Sequence, residues 1–333
     1  MSSIREMWEE VKRFPIVLDW GLHLSHNDAD GYACFVVSAL CSYNCEYRTS
    51  EAGNVMEKML QIMMEKEAIP SELILTDLSF NENEDEISVF EELIERYDNS
   101  IGGFFMMVDH HKTALWMAEK YPELCTVEVA DGKSAAQLYY DKCCHPLITK
   151  QRWKDNADEY IRRVSFYDTW FWKTLQEEPG IYEEEMILSS RYSIHYYIKH
   201  TIDKIRCAMP YQSTEYDMAI IDRYRNEREK SIQKAVGDVS TINVFDYKVD
   251  VVVGTINASS LMELWGKDHP DAVWGVLYPH TRVLSLRTQR DDIDVGEICK
   301  QLGGGGHPKA AGAVLEPELF CNILQEYYGV SSN

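Results

Sequence analysis

Three short apolar segments of this chain each run into a polar cluster that contains Asp or His, namely "LHLSHNDADG", "ELILTDLSF" and "GFFMMVDHHKT". Each apolar run has the length and composition of a buried strand. Helix-like segments lie between them: "YACFVVSALCSYN", "AGNVMEKMLQIMMEKEA" and "EISVFEELIERYDNS". Alternation of buried strands with helices favours a parallel sheet that is covered by helices on both faces.

The predicted secondary structure changes twice further along the chain. Residues 145–235 are predicted to be largely helical and end in the long amphipathic run "TEYDMAIIDRYRNEREKSIQKAV". After Gly237 the chain alternates between strands such as "YKVDVVVGTI" and a helix, "VGEICKQL". We therefore predict an α/β protein with a parallel-sheet domain and helical extension over 1–212, a connecting helix over 213–237 and a smaller α/β domain over 238–333.

The polar clusters lie where the predicted strands end. Ligands of parallel sheets bind beyond the carboxyl ends of the strands, so side chains there face a crevice rather than the core. The candidates are His26, Asp28, Asp30, Asp77, His110 and His111, joined by Asp168 from the helical segment "SFYDTW". On an extended backbone the alternate residues of "HNDAD" would all point to one side.

Carboxylates and imidazoles without thiolates suit Mn²⁺, Mg²⁺ or Fe²⁺. Taken alone, each Asp is explained as well by a helix cap and each His by a hydrogen-bonded core position. Several carboxylates buried in one crevice would be very costly without cations, so the set as a whole favours a metal centre.

A glycine run near the C-terminus, "QLGGGGHPKAAG", predicts an anion-binding loop. Gly303–Gly306 would expose backbone N–H groups to a phosphate, with His307 and Lys309 as further donors. A flexible linker is the alternative, but the small apolar "AAGAVL" that follows fits it poorly. In "RVLSLRT" the alternation places Ser285 and Arg287 on one face of a strand, and Arg287 could face the same anion.

Net charge and cysteine content limit the substrates, the cellular location and the metal sites that the chain can be expected to have. The 333-residue chain has 33 Lys and Arg against 55 Asp and Glu, a net charge of −22, which disfavours long duplex nucleic acid but leaves short anionic substrates open. Nine Cys, an odd number, indicate reduced thiols and a cytoplasmic location. Zinc at Cys41 with Cys45, or at Cys143, Cys144 and His145, lacks a second ligand pair at the usual spacing. No apolar run reaches the roughly 18 residues that span a membrane.

The motifs together resemble those of DHH-family phosphoesterases of the nano-RNase or oligoribonuclease type. "HNDADG", "TDL" and "VDHH" are similar to three motifs of that family, and Asp168 is the best match to a fourth. The C-terminal "GGGGHPKAAG", Gly303 to Gly312, is similar to the "GGGGHxxAAG" of the DHH-associated domain. The resemblance covers nearly the whole chain.

The resemblance implies a two-metal active site in the cleft between the domains, usually with Mn²⁺ and with Mg²⁺ as the alternative. One ion would be held by His26, Asp28 and Asp77, and the other by Asp30, Asp77, His110 and Asp168, with Asp77 as the bridge. The implied catalytic residues are Asp77, Asp109, which would orient a His, and His111, which would contact the phosphate. The implied substrate-binding residues are Arg287, Gly304, Gly305, Gly306 and His307.

The activity that this implies is hydrolysis of short oligonucleotides or dinucleotides, linear or cyclic, to nucleoside monophosphates by a hydroxide that two metal ions activate. Three alternatives stay open: a 3′-phosphoadenosine 5′-phosphate phosphatase, a single-strand-specific exonuclease and a non-catalytic nucleotide sensor. We expect no membrane partner. The oligomeric state, monomer or homodimer, stays open.

Overall fold

The computed structural model describes residues 3–41, 45–100 and 102–329. The chain divides into two compact units, Met1–Ile221 and Asp222–Asn333, called here the N-terminal and C-terminal units. The sequence-based domain limits at 212 and 237 stay a prediction. Among the described residues, no helix is both long enough and apolar enough to cross a lipid bilayer.

The sheet of the N-terminal unit is parallel throughout its described strands, as predicted, with the order β2-β1-β3-β4-β5. The strands are β1 (Ile16–His26), β2 (Cys45–Ser50), β3 (Ile69–Thr76), β4 (Phe104–Asp109) and β5 (Cys125–Val127). The connections run outward in opposite directions from β1 and from β3. A crevice therefore opens at the carboxyl ends of these two neighbouring strands, where open α/β sheets bind their ligands.

Helices cover both faces of this sheet. The first six are α1 (Ile4–Val11), α2 (Ala29–Leu40), α3 (Val55–Lys66), α4 (Glu84–Asp98), α5 (Leu115–Lys120) and α6 (Ala135–Tyr139). Leu22 and Leu24 of β1 point into the apolar core beneath α1, α3, α4 and α5. His23 points to the opposite face, where its imidazole is hydrogen-bonded to Ser38 of α2 at 2.8 Å.

Strands β2 and β5 were not predicted from the sequence. The β2 segment "CEYRTS" is only partly buried and includes Glu46 and Arg48, which pair with each other at the edge of the sheet. An edge strand needs no apolar run because one side of it is open to solvent. β5 has only three residues, too few for a periodic pattern.

The extended conformation predicted through Asp30 is wrong, because β1 ends at His26. The Asp28 side chain accepts a hydrogen bond from the Gly31 backbone N–H at 3.0 Å and caps α2, so Asp30 lies in the first helical turn. Gly31 is required there: a Cβ at this position would lie 2.0 Å from the His26 carbonyl oxygen.

The rest of the N-terminal unit is largely helical, as predicted. Its helices are α7 (Gln151–Asp168), α8 (Phe171–Thr174), α9 (Gly180–Arg191) and α10 (Ile194–Arg206), and α11 (Glu215–Val236) runs across the limit between the units. Thr214 and Asp217 exchange backbone and side-chain hydrogen bonds at the start of α11. This reciprocal pair has the pattern of a capping box.

The C-terminal unit has a mixed sheet with the order β10-β11-β9-β8-β7-β6, in which only the described pair β7 and β8 is parallel. Its strands are β6 (Ser240–Val244), β7 (Tyr247–Val253), β8 (Val273–Tyr278), β9 (Val283–Thr288), β10 (Gly305–His307) and β11 (Ala310–Val314). Its helices are α12 (Ala258–Leu264), α13 (Val295–Gln301) and α14 (Pro317–Tyr327). One face of the sheet packs under α13 and α14, and the other packs partly under α12 and the end of α11.

The glycine run is not the open loop that the sequence predicted. Gly303, with φ +82°, ends α13, and the Gly304 N–H donates to the Cys299 carbonyl at 2.8 Å, as in a Schellman cap. Gly305–His307 then forms the edge strand β10, antiparallel to β11. A Cβ at Gly304 or Gly306 would lie within 2.6 Å of the β11 backbone, so these two glycines are needed for close strand packing.

Candidate active site

The first group of candidate ligands meets where β1 and β3 end. His26 Nδ1 lies 2.6 Å from Asp28 Oδ2 and 4.0 Å from Asp77 Oδ2. Burial by itself would raise the pKa of Asp28, but the hydrogen bonds from His26 and Gly31 lower it below its usual value. The same pairing with Asp28 raises the pKa of His26.

Asp77 occupies the centre of the site. It follows β3 with a left-handed backbone, φ +54°, and only 4% of it is exposed. Its Oδ2 atom is buried without a hydrogen-bond partner among the described residues. Burial and the neighbouring carboxylates of Asp30, Asp28 and Asp168 raise the pKa of Asp77 well above its usual value.

The second group joins β4, α2 and the last residue of α7. His110 Nε2 lies 3.4 Å from Asp168 Oδ2 and 3.5 Å from Asp77 Oδ1 but has no hydrogen-bond partner in the described part of the chain. Asp30 is fully buried and accepts backbone N–H groups at the start of α6 at 2.9 and 3.1 Å. Burial raises the pKa of Asp30 to about 7 and that of Asp168 well above its usual value.

Asp109 fixes the two histidines that follow it. Its Oδ1 atom accepts hydrogen bonds from the backbone N–H groups of His110 and His111, at 2.7 and 3.1 Å. The same oxygen lies 2.9 Å from His111 Nδ1, and this hydrogen bond raises the pKa of His111. Asp109 is buried, whereas 54% of the His111 side chain is exposed. Asp109 therefore directs the Nε2 edge of His111 away from the sheet.

The donor atoms fit divalent cations. Within each of the groups His26–Asp28–Asp77 and Asp30–His110–Asp168, the potential ligand atoms lie within 4.8 Å of one another. All are carboxylate oxygens or imidazole nitrogens, the donors that Mn²⁺ and Mg²⁺ accept. Buried oxygen and nitrogen atoms without partners, in a cluster of carboxylates, are expected where cations supply the missing interactions.

A cavity of about 730 Å³ opens beside the first group. His26, Asp77 and His111 lie on its wall together with the aromatic side chains of Phe80 and Trp116. This volume lies within the usual range for small-molecule sites.

The C-terminal unit brings the predicted anion-binding residues to one face of its sheet. Ser285 pairs in register with Gly312 and through it with Gly305, and Arg287 pairs with Ala310 and through it with His307. As predicted, Ser285 and Arg287 share a face of β9.

Arg287 is half-buried on this face and donates to the hydroxyls of Ser259 and Ser285 at 3.2 and 3.0 Å and to the Leu286 carbonyl at 2.8 Å. No carboxylate among the described residues pairs with it. A Cβ at Gly305 would meet no atom within 4 Å, so packing does not require a glycine there. The result is an open glycine surface beside an uncompensated guanidinium.

Comparison with known proteins agrees with this architecture. Residues 242–330 match the family model of the DHHA1 domain. Over 313 residues, 92% of this chain and 75% of the relative, the sequence is 28% identical to oligoribonuclease NrnB of Bacillus subtilis strain 168. The DHHA1 match and this similarity support the predicted relationship to DHH phosphoesterases.

Two solved structures share the fold along most of the chain. Exonuclease RecJ bound to manganese aligns with a TM-score of 0.53 at 12% identity, covering 100% of this chain and 96% of RecJ. The pGpG-specific phosphodiesterase PggH of Vibrio cholerae aligns with a TM-score of 0.51 at 12% identity, covering 93% of this chain and 100% of that protein.

Two features of this candidate site were missed in the sequence. Glu51 lies 3.8 Å from His26 Nε2, and it directly follows the unpredicted strand β2. Recognition of β2 would have placed Glu51 at the carboxyl edge of the sheet with the other candidates. The second feature is the pair of backbone N–H groups, of Ala135 and Ala136, that donate to Asp30. The only sequence signal for them was Ser134, which caps the start of α6.

Proposed function

We propose that this protein is a metal-dependent phosphodiesterase that hydrolyses short oligoribonucleotides or dinucleotides to nucleoside monophosphates. The observation that carries the proposal is the buried cluster in which Asp77 Oδ2 and His110 Nε2 lack hydrogen-bond partners among the described residues. Similarity to an enzyme named as an oligoribonuclease, along most of both chains, supports the choice of substrate class.

Two divalent cations would be held by the two ligand groups, with Asp77 shared because its oxygens face both His26 and His110. Bound there, such ions would lower the pKa of water and neutralise charge that develops on the phosphate. We propose Mn²⁺ as the working metal, with Mg²⁺ as the alternative. The protein's own contribution is to keep the carboxylates converged before the substrate binds.

His111 is the proposed phosphate contact. Nδ1–H donates to Asp109 Oδ1, and the raised pKa of His111 favours the imidazolium, which also carries a proton on Nε2. His111 lies on the wall of the cavity. From that position it can donate a hydrogen bond to a non-bridging oxygen of the scissile phosphate. Asp109 thereby acts as a positioning residue, since it sets the tautomer and orientation of His111.

The face formed by Arg287, Ser285, Gly305 and His307 is proposed to bind a substrate phosphate. Arg287 has its charge uncompensated by any carboxylate in the described residues, and a planar guanidinium can bind phosphate in bidentate fashion. The bare surface at Gly305 leaves room for close approach of an anion to the backbone.

The test is a substrate panel with purified protein, first treated with chelator and then supplied with Mn²⁺, Mg²⁺, Ca²⁺ or Zn²⁺. We expect nucleoside monophosphates from 5′-phosphorylated diribonucleotides, with Mn²⁺ restoring activity best and Ca²⁺ poorly. Restoration by Zn²⁺ alone would contradict the metal assignment.

The same panel separates the alternatives. Faster release of phosphate from 3′-phosphoadenosine 5′-phosphate than of nucleotide from any dinucleotide would favour the phosphatase. Equal rates on long single strands would favour the exonuclease. Tight binding of dinucleotides without any product would favour a sensor.

A further inference from the structure

An aromatic pair, the exposed Trp170 and the partly buried Trp172, follows the candidate ligand Asp168. Trp170 is 45% exposed, and its indole stacks with that of Trp172, with ring centroids 6.1 Å apart and planes 27° apart. The Lys173 amine lies 3.7 Å from the centre of the Trp170 ring. The exposed indole and its cation follow Asp168 of the acidic site by two and five residues along the chain.

The backbone at Trp170 is strained. Its φ of +58° and ψ of +17° are left-handed values, which a bulky side chain adopts at a cost and glycine adopts freely. Non-glycine residues in such conformations concentrate at functional sites. Asp77, at φ +54°, is another such residue within the same site.

The pair is attached to the segment that positions Asp30. Phe171, between the two tryptophans, packs on Phe166 with ring centroids 5.0 Å apart. It also packs against Gly132, where an added Cβ would lie 3.1 Å from the Phe171 ring. Two residues after Gly132, Ser134 caps the helix whose first N–H groups bind Asp30. Phe171 thus serves as the packing anchor, which leaves its two neighbours for another role.

Trp170 lies close to the candidate metal-ligand groups because it is near Asp168 in the chain. Two peptide units separate Trp170 from Asp168, so their Cα atoms are at most about 7.6 Å apart. A nucleoside whose phosphate lies at the metal-ligand groups spans that range. Exposed aromatic rings with adjacent cations are also the common means of holding unpaired bases, because every base has a face that stacks.

We propose that Trp170 and Trp172 form a stacking platform for one nucleobase of the substrate, on the Asp168 side of the site. This inference rests on the proposed function and adds to it a determinant of substrate binding. The platform favours a substrate with an unpaired base and is indifferent to which base it is, since stacking reads no hydrogen-bond pattern.

The experiment compares Trp170→Gly and Trp170→Phe with wild type. Glycine relieves the backbone strain, so we expect the thermal unfolding midpoint to stay within about 4 °C of wild type. For 5′-phosphorylated ApA we expect Trp170→Gly to raise KM by about 5- to 150-fold, the range of one base–aromatic stack, with a smaller effect on kcat. Phenylalanine should restore most of the affinity.

Two abasic analogues of the same dinucleotide identify the base that is held. For the analogue that lacks the stacked base, the Trp170→Gly penalty on KM should fall below about one third of its value with ApA. For the other analogue it should persist. A KM for ApA within about twofold of wild type, or equal penalties with both analogues, would overturn the inference.

Trp153→Ala is the matched control. Lys150 lies over the Trp153 ring at 3.9 Å, the same arrangement at the opposite end of α7, about 22 Å from Asp168 along the helix. We expect Trp153→Ala to leave KM unchanged.

If wild type cleaves no dinucleotide, the proposed function fails, and calorimetric binding of the same ApA then tests the stacking platform separately. Weaker binding by Trp170→Gly would support it, and equal or undetectable binding by both proteins would refute it.

Discussion

Individual side chains at this site serve structural and chemical roles together. Asp28 caps α2 and also faces His26, so the helix-cap interpretation of this residue and the metal interpretation are both compatible with one geometry. Asp77 differs, because its buried Oδ2 makes no hydrogen bond among the described residues and has no structural task there. The sequence could single out these residues by type and spacing, but only the fold shows which of them lack partners.

At the residue scale, Asp109→Asn tests the positioning of His111. Asparagine keeps an oxygen for the backbone N–H groups but loses the charge that faces the imidazole. We expect kcat for a phosphorylated diribonucleotide to fall by about 10- to 100-fold, the usual effect of such supporting residues. Bound metal, measured by elemental analysis of the same preparation, should stay at the wild-type level, and its loss would assign Asp109 to the metals instead.

Arg287→Ala tests the phosphate-binding face. Removal of a charge-assisted contact worth roughly 1.5 to 3 kcal/mol should raise KM by about one to two orders of magnitude, and Arg287→Lys should recover only part of it. Arg290→Ala is the control, because Arg290 is already paired with Asp292 at 2.6 Å. Steady-state kinetics with equal KM for Arg287→Ala and Arg290→Ala would contradict the assignment.

At the scale of helices and strands, the sequence predicted best where burial is complete. β3 and β4 are apolar on both faces and were recognised as strands, since a parallel central strand is covered from both sides. β2 and β10 are edge strands with polar or glycine residues. They are strands because they pair with neighbouring strands, and the local sequence does not show that pairing. For that reason the glycine run was predicted as a loop rather than a strand: close packing against Ala313, which the local sequence does not show, explains Gly304.

The start of α11 gives a prediction on pH. Burial by itself would raise the pKa of Asp217, but the Thr214 N–H, Lys204, His200 and Tyr192 outweigh it and hold the pKa at about 2. The unfolded chain has the ordinary value near 3.9, so the stabilisation is complete above about pH 5 and is lost as pH falls toward 2. We expect Asp217→Asn to lower the free energy of unfolding at pH 7 by roughly 2 to 3 kcal/mol.

Urea unfolding at several pH values measures this effect. The difference between wild type and Asp217→Asn should shrink steadily below about pH 4.5. Asp222→Asn, at an exposed position of the same helix, should have little effect at any pH. A difference for Asp217→Asn that does not depend on pH would show that packing, rather than the charge, is responsible.

At the scale of the whole molecule, charge and cavity size both select short substrates. A net charge of −22 opposes the approach of a long polyanion, and the cavity beside the first ligand group holds about 730 Å³. We expect the rate per molecule to fall by at least about tenfold across a series of single strands from two to roughly 24 nucleotides. Product analysis by chromatography at fixed ionic strength measures this, and a flat series would refute it.

The composition and motifs of the chain allowed the superfamily and the α/β architecture to be predicted, because both follow from patterns of burial and from residue types at strand ends. The stacked pair of Trp170, which is exposed, and Trp172, which is partly buried, was not predicted, since nothing in the local sequence separates a surface aromatic from a core one. Trp170 lies in the turn after α7 with a left-handed backbone, and the next residue, Phe171, packs against Phe166.

The most direct test of the account is the rate at which wild type and Asp77→Asn release nucleoside monophosphate from one 5′-phosphorylated diribonucleotide with Mn²⁺. Asp77 is the residue that both ligand groups approach, so its amide should weaken both ions while the fold, checked by circular dichroism, is kept. We predict release by wild type and a loss of more than about 100-fold in Asp77→Asn. No release by wild type, or a rate for Asp77→Asn within about tenfold of it, would contradict the central claim.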